Sequence, residues 1–165
     1  MEVSFDVKLS PKDLFRFNMY QTYTTLQGPL SIFFTVLVFA MAVLSFQKGN
    51  MGYTALYVCG GFAILFYIPC ALWSRAKYVL KTNPILAGTL GFRITEKGID
   101  VSQGSETGTL EWSKVYKMVA TKNTLFIYST RVYAYIVPRE QLGDKYDDVR
   151  KIAERMLTKN RLRMK

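Results

Sequence analysis

The chain has 165 residues, 50% of them hydrophobic and 21% charged, which excludes a disordered, collagen-like or coiled-coil protein and fits one soluble domain, or a smaller domain with a membrane anchor. Its net charge is +10, from 22 Lys and Arg against 12 Asp and Glu. With no His and only two Cys, it has no Ser-His-Asp or Cys-His catalytic pair, no disulfide framework and no four-ligand zinc site.

At the start, Val3, Phe5, Val7 and Leu9 alternate with more polar neighbours, the period-two pattern of a strand. Ser10-Pro11-Lys12-Asp13 then reads as a helix start, with Ser as N-cap, Pro in the first helical position and an acid in the first turn. That helix is expected to run from Pro11 toward Leu26 and to end near Gly28-Pro29. A lone strand over Met1–Leu9 is too short to be stable and, unpaired, would invite aggregation. It is expected to join the strand-rich region at the other end of the chain.

From Phe17 to Ser74 the only charged residue is Lys48. Two uncharged runs, Leu30–Phe46 and Tyr53–Trp73, lie in this span. As helices they would cover about 26 and 32 Å, close to the ~30 Å hydrocarbon core of a bilayer. A buried helix of a soluble core carries a polar stripe, and neither run has one. Two transmembrane helices are therefore expected, at about 30–46 and 53–73. A cleaved signal peptide fits poorly, because both acids and bases precede the first run.

The polar, Gly-rich stretch from Gln47 to Gly52 reads as a tight turn, so the spans form a hairpin with both ends on one side. Lys8, Lys12, Arg16, Arg75, Lys77 and Lys81 flank that side and Lys48 alone marks the turn, which favours both termini in the cytoplasm of an inner cell membrane. Tyr53, Tyr57, Trp73 and Tyr78 suit aromatic belts at the two interfaces. Ala55, Cys59 and Ala63 recur every fourth residue, a small face that allows close helix packing against the first span or a second copy. Pro69 is expected to kink the second span. Cys59 and Cys70 are expected as buried, inert thiols. Neither run contains an ionisable group of the kind an ion-coupled transporter needs.

Beyond Lys81 the pattern changes to short strands and turns. Strands are expected at Leu90–Thr95 and from Ile99 to Ser102, followed by a polar loop from Gln103 to Gly108. Thr109–Lys114 is expected as a strand with Leu110 and Trp112 on one face, with Val115–Ala120 continuing it or forming the next. Leu125–Ser129 and Val132–Val137 complete an antiparallel meander that curls into a sandwich or partial barrel. Asp144 caps a final helix whose stripe is Tyr146, Val149, Ile152, Ala153, Met156 and Leu157. That helix is expected to plug the open end of the sheet.

The order of these parts, with Gly98-Ile99, Trp112-Ser113-Lys114-Val115, Leu125-Phe126-Ile127-Tyr128 and Ile136-Val137-Pro138-Arg139, resembles the YcxB-like family of small bacterial membrane proteins. The resemblance implies a pleckstrin-homology-like (PH-like) C-terminal domain and carries no catalytic or ligand-binding motif. The expected class is thus an α+β membrane protein: residues 1–27 a cytoplasmic strand and amphipathic helix, 28–74 the transmembrane hairpin, and 75–165 the PH-like domain with its basic tail.

No catalytic constellation emerges. Asp147-Asp148 reads as a helix start more readily than a metal site, and the Gly pairs lack phosphate-loop spacing. No enzyme activity and no cofactor are expected. Residues 82–148 hold eight bases and eight acids, whereas Arg150, Lys151, Arg155, Lys159, Arg161, Arg163 and Lys165 face only Glu154 at the C-terminus. A solvated helix face with a frayed basic end is the plain reading; contact with anionic lipid headgroups or a protein partner is the functional one. Nucleic acid is not expected, because the aromatics fall on strand core faces. Two functions remain: a membrane-anchored module that binds a protein segment or anionic lipid, or an accessory or regulatory subunit of a membrane assembly, associating or homo-oligomerising through Ala55, Cys59 and Ala63.

Overall fold

The computed structural model describes residues 2–164. The chain divides into two units, one joining the N-terminal residues through Leu14 with Val79 onward, the other spanning Phe15–Tyr78.

The first unit is built on two four-stranded sheets. Strand β1 (Glu2–Lys8) pairs antiparallel with β2 (Thr89–Thr95) along its whole length, from Glu2↔Thr95 to Lys8↔Thr89. The N-terminal strand therefore does join the C-terminal region. β3 (Ile99–Gln103) and β4 (Glu106–Leu110) complete the order β1-β2-β3-β4. The alternation read at residues 3–9 is real: Val3, Phe5, Val7 and Leu9 are buried and their neighbours exposed. Phe5 stacks on Phe92 of β2 with ring centroids 5.4 Å apart.

The second sheet has the order β7-β6-β5-β8. Its strands are β5 (Lys117–Ala120), β6 (Thr124–Tyr128), β7 (Ala134–Pro138) and β8 (Leu162–Arg163), the last parallel to β5. All five residues of β6 are buried, as its apolar sequence requires of a strand covered on both faces. Helix α6 (Lys145–Met156) turns Tyr146, Val149, Ile152 and Ala153 inward and packs on β1 and β2. Short helices α4 (Pro84–Ala87) and α5 (Arg139–Leu142) precede β2 and α6.

There are two sheets and no closed barrel, within the expectation of a sandwich or partial barrel, and α6 lies against strands of the first sheet. Other expectations are corrected. The supposed loop from Gln103 to Gly108 is a tight β3–β4 hairpin, with Gly104 at φ 59° in its turn. Trp112 is not in a strand. It opens a 3₁₀ turn, Trp112–Lys114, and its indole N–H donates to the Thr95 carbonyl at 2.8 Å, the partner a buried indole needs. Asp144 precedes α6 but makes no side-chain cap bond.

The basic tail is also more ordered than a frayed end. Arg161 O accepts from Met118 N at 2.8 Å, Leu162 and Arg163 pair with Met118 and Val119, and Met164 is buried. Lys165 lies outside the described residues. Deleting residues 158–165 should therefore uncover the outer edge of β5 and strip Met118 of its hydrogen-bond partner. Amide exchange at Met118 should accelerate at least tenfold; unchanged exchange would reject the strand.

The second unit is helical. Helix α1 (Pro11–Thr24) begins, within the first unit, on a capping box: Asp13 accepts from Ser10 N at 3.0 Å and Ser10 Oγ from Asp13 N at 3.4 Å. It stops at Thr24, and Gly28-Pro29 falls inside the first turn of α2 (Gln27–Gln47), where Pro costs no hydrogen bond. A Cβ on Gly28 would lie 2.7 Å from Tyr23 Cα, so only Gly permits this corner. Helix α3 (Met51–Thr82) runs unbroken through Pro69. The buried residues of α2 and α3 are Gly28, Thr35, Ala42, Gly61 and Ala76. A Cβ on Gly61 would sit 2.9 Å from the Phe39 ring. Gly61→Leu should overpack this seam and cost about 1–3 kcal/mol, read as lower thermal stability in detergent, whereas Ala63→Leu on an exposed site should not.

Candidate interaction surfaces

A sheet edge presents unpaired backbone donors and acceptors and is normally blocked. The outer edge of β1 is closed by side chains: Gln141 Nε2 donates to Lys8 O at 2.9 Å, its Oε1 accepts from Lys8 N at 2.8 Å, and Lys145 Nζ donates to Ser4 O at 2.7 Å. The amide of Gln141 thus acts as one residue of a neighbouring strand. The β5 edge is taken by β8, and β7 ends in a buried run, Ile136–Val137–Pro138, whose Pro has no N–H to offer. β4 is different. Glu106, Thr107, Gly108 and Thr109 are exposed, no described strand pairs with their outer edge, and a Cβ on Gly108 would meet nothing within 4 Å.

The outer face of the first sheet is polar. An open depression of about 650 Å³ is lined by Glu2, Arg93, Thr95, Lys97, Asp100 and Thr109 among others. Arg93 Nε lies 2.7 Å from Glu2 Oε1, and Thr109 donates to Asp100 at 2.6 Å. The hydrogen bond that Arg93 donates to Glu2 holds the guanidinium protonated above its ordinary range. Nearby, hydrogen bonds from Lys114 and Ser113 lower the Glu111 carboxyl below its ordinary range. That stabilisation is present at neutral pH and is lost as pH falls through the lowered value.

The basic residues picked out in the sequence fall into two groups. Those on α6 are matched by the protein's own acids: Arg150 with Glu154 at 2.8 Å, Lys151 with Asp148 at 3.3 Å and Arg155 with Glu96 at 3.5 Å. The hydrogen bond that Arg150 donates to Glu154 raises the Arg150 pKa above its ordinary range. Lys159, Arg161 and Arg163 are exposed and meet no acid among the described residues. The sequence reading passed over Gln141 and Lys145 as edge blockers. It also missed β8, although Arg161-Leu162-Arg163-Met164 alternates polar and apolar residues. Among the described residues, no group of three or more Cys, Asp or Glu is placed to hold a metal ion.

On the helical unit, Ala55, Cys59 and Ala63 are all exposed, and Ala63 lies where α3 faces α2. Cys59 and Cys70 are exposed on the surface of α3. An apolar groove of about 590 Å³ runs between α2 and α3, lined by Leu30, Phe34, Ala63, Ile64, Tyr67 and Ile68 among others.

Residues 94–153 match the family model described as YcxB-like protein. No curated protein and no solved structure matches the chain. The YcxB-like segment begins in β2 and ends in α6. It takes in β3 to β7, the Trp112 turn and the open β4 edge, and it excludes β1 and both long helices.

Proposed function

We propose that the protein is an interaction module anchored in the inner cell membrane: α2 and α3 form a transmembrane hairpin, and the sheet unit is a PH-like domain on the cytoplasmic side that binds a protein segment along β4. The observation that carries the anchor is exposure. The most apolar windows of α2 and α3 are only 11% and 6% buried, so their side chains have no protein interior to occupy. A core helix of a soluble protein would be mostly covered. At 21 and 32 residues the helices are about 31 and 48 Å long. Each can cross a ~30 Å core, and α3 has length to spare for Arg75, Lys77 and Lys81 beyond it.

The sidedness rests on β1 and β2. Lys8 and Thr89 are direct partners, so the chain leaves and re-enters one folded unit at adjacent points, and the hairpin must enter and leave the bilayer from that side. The basic flanks favour the cytoplasm. The PH-like reading draws on two sheets followed by a C-terminal helix and on the YcxB-like match.

The binding mode is strand addition, in which main-chain hydrogen bonds supply affinity and side-chain pockets supply selectivity. A photocrosslinker at Thr107, in native membranes, should trap a discrete protein adduct, and one at Ser4, where Lys145 blocks the edge, should not. Lipid adducts alone at Thr107, or equal protein adducts at both positions, would reject strand addition at β4. A second reading, a subunit that associates through its helices, is favoured by the exposure of Ala55, Cys59 and Ala63. Replacing all three by Leu should then dissociate the assembly without unfolding the hairpin.

A further inference from the structure

Charge in the sheet unit is segregated by sheet, which an average over the chain conceals. Residues 112–139, which carry β5, β6 and β7, contain Lys114, Lys117, Lys122, Arg131 and Arg139 and no acid. The tail that supplies β8 adds Lys159, Arg161 and Arg163, again with no acid. The β1–β4 sheet has the opposite balance, with Glu2, Asp6, Glu96, Asp100, Glu106 and Glu111 against Lys8, Arg93 and Lys97.

Some of these basic residues lie where apolar side chains are also exposed, at the Tyr128 end of β6, whereas Lys122 and Arg139 lie at its Thr124 end. The β6–β7 turn presents Val132 at 56% and Tyr133 at 73% exposure, with Arg131 exposed beside them. The turn is an ordered platform, since Thr130 Oγ1 accepts from Val132 N at 3.2 Å and from Tyr133 N at 3.0 Å. Tyr116, also exposed, is tied to the base of this turn by its N–H to Tyr128 O at 2.8 Å. Lys117 pairs with Tyr128, and its ammonium sits 4.5 Å from the Tyr128 ring centroid and 5.9 Å from that of Tyr116. Arg161, one position before the Met118↔Leu162 pair, falls beside Lys117 on the next strand. Two like charges on neighbouring strands repel, and among the described residues neither meets an acid. The side chain of Lys117 is already oriented by its rings, so little entropy is lost when an anion arrives.

We propose that this rim, Lys117, Arg131 and Arg161 around Tyr116 and Tyr133, binds an acidic protein segment that carries an aromatic or aliphatic residue among its carboxylates. It is a different set of residues from the β4 edge and does not depend on strand addition there. Lipid is the competing occupant, and vesicle competition separates it from a protein segment. Single-stranded nucleic acid is the poorer occupant, because it needs bare ring faces and Lys117 already covers that of Tyr128.

The test uses the full chain in nanodiscs of zwitterionic lipid, with a fluorescent peptide of Asp, Glu and Phe as probe and its Asn, Gln and Phe analogue as control. The acidic peptide should bind and the analogue should not. Lys117→Glu with Arg161→Glu should weaken binding at least tenfold. Arg131→Glu, in a surface turn where misfolding is not a concern, should weaken it severalfold, and Tyr133→Ser likewise. Lys97→Glu, on the other sheet, should change it by less than twofold. Three results would each overturn the proposal: rim variants that bind like wild type, equal binding of the uncharged analogue, or tighter binding of a single-stranded oligonucleotide of equal charge. Anionic vesicles added as competitor should displace little peptide; full displacement would assign the rim to lipid and reject the protein segment.

Discussion

A chain lacking residues 2–9 is expected to lose the folded sheet unit altogether. Val3, Phe5, Val7 and Leu9 are each 9% exposed or less, and burying an aliphatic or aromatic side chain contributes ~1.5–3 kcal/mol. Together they supply roughly 6–12 kcal/mol, comparable to the ~5–15 kcal/mol that holds a whole domain folded. The deletion also strips β2 of the ladder running from Glu2↔Thr95 to Lys8↔Thr89. Hydrogen exchange of the full-length and shortened chains in nanodiscs reads this directly, at the amides of β6, the most deeply buried strand. Those amides should exchange freely in the shortened chain, and continued protection would show that the sheet stands without β1. Phe5→Ala is the graded version. It leaves the backbone ladder but empties the space against Phe92, at a cost of about 3–5 kcal/mol, so partial protection should remain.

The same pairing poses a problem of assembly. β1 is made before its partner, which follows only after two long apolar helices. Until then β1 is an apolar strand with both edges open, a known aggregation hazard. The finished structure shows how the second edge is then shut, by the Gln141 amide on Lys8 and the Lys145 ammonium on Ser4. These blockers come from α5 and α6, downstream of every strand of the first sheet.

What could be read from the sequence follows from where local pattern and tertiary structure agree. β1, β6, α6 and the two long helices each carry a strong period or an unbroken apolar run, and each appears where it was expected, although α3 continues past Trp73 to Thr82. β4 has no such pattern. Glu106-Thr107-Gly108-Thr109 is polar throughout and becomes a strand only because β3 lies beside it. β8 is two residues long, too short for any period, and exists only because the β5 edge needs a partner. Trp112 looked like a strand residue because a large apolar side chain suits one; its indole N–H decided otherwise. The basic set was visible as a composition, but which members the protein neutralises was not. Arg155 meets Glu96 only through the fold. The acid-free stretch of residues 112–139 was there to be counted, and averaging over residues 82–148 hid it.

The membrane reading can be put at risk with one pair of substitutions whose effects have opposite signs in the two environments. Leu37, near the middle of α2, is 45% exposed, and Phe66 on α3 is 57% exposed. In water, Arg at either position would replace exposed apolar surface with charge and raise solubility. In a bilayer, Arg at the centre of a helix costs about 2.5–3.5 kcal/mol on insertion-based scales. Leu37→Arg with Phe66→Arg should therefore cost roughly 5–7 kcal/mol, enough to overturn insertion of the hairpin. After alkaline extraction the wild-type chain should remain with the membrane pellet and the double variant should be lost from it, through release or degradation. The exposed thiols give an independent reading on the unmodified protein. Cys59 and Cys70 have no cover within the chain, so a charged maleimide should label both rapidly if water surrounds α3 and hardly at all if hydrocarbon does. Rapid labelling in intact membranes, or a double variant that still pellets like wild type, would each remove the bilayer from the account of α2 and α3.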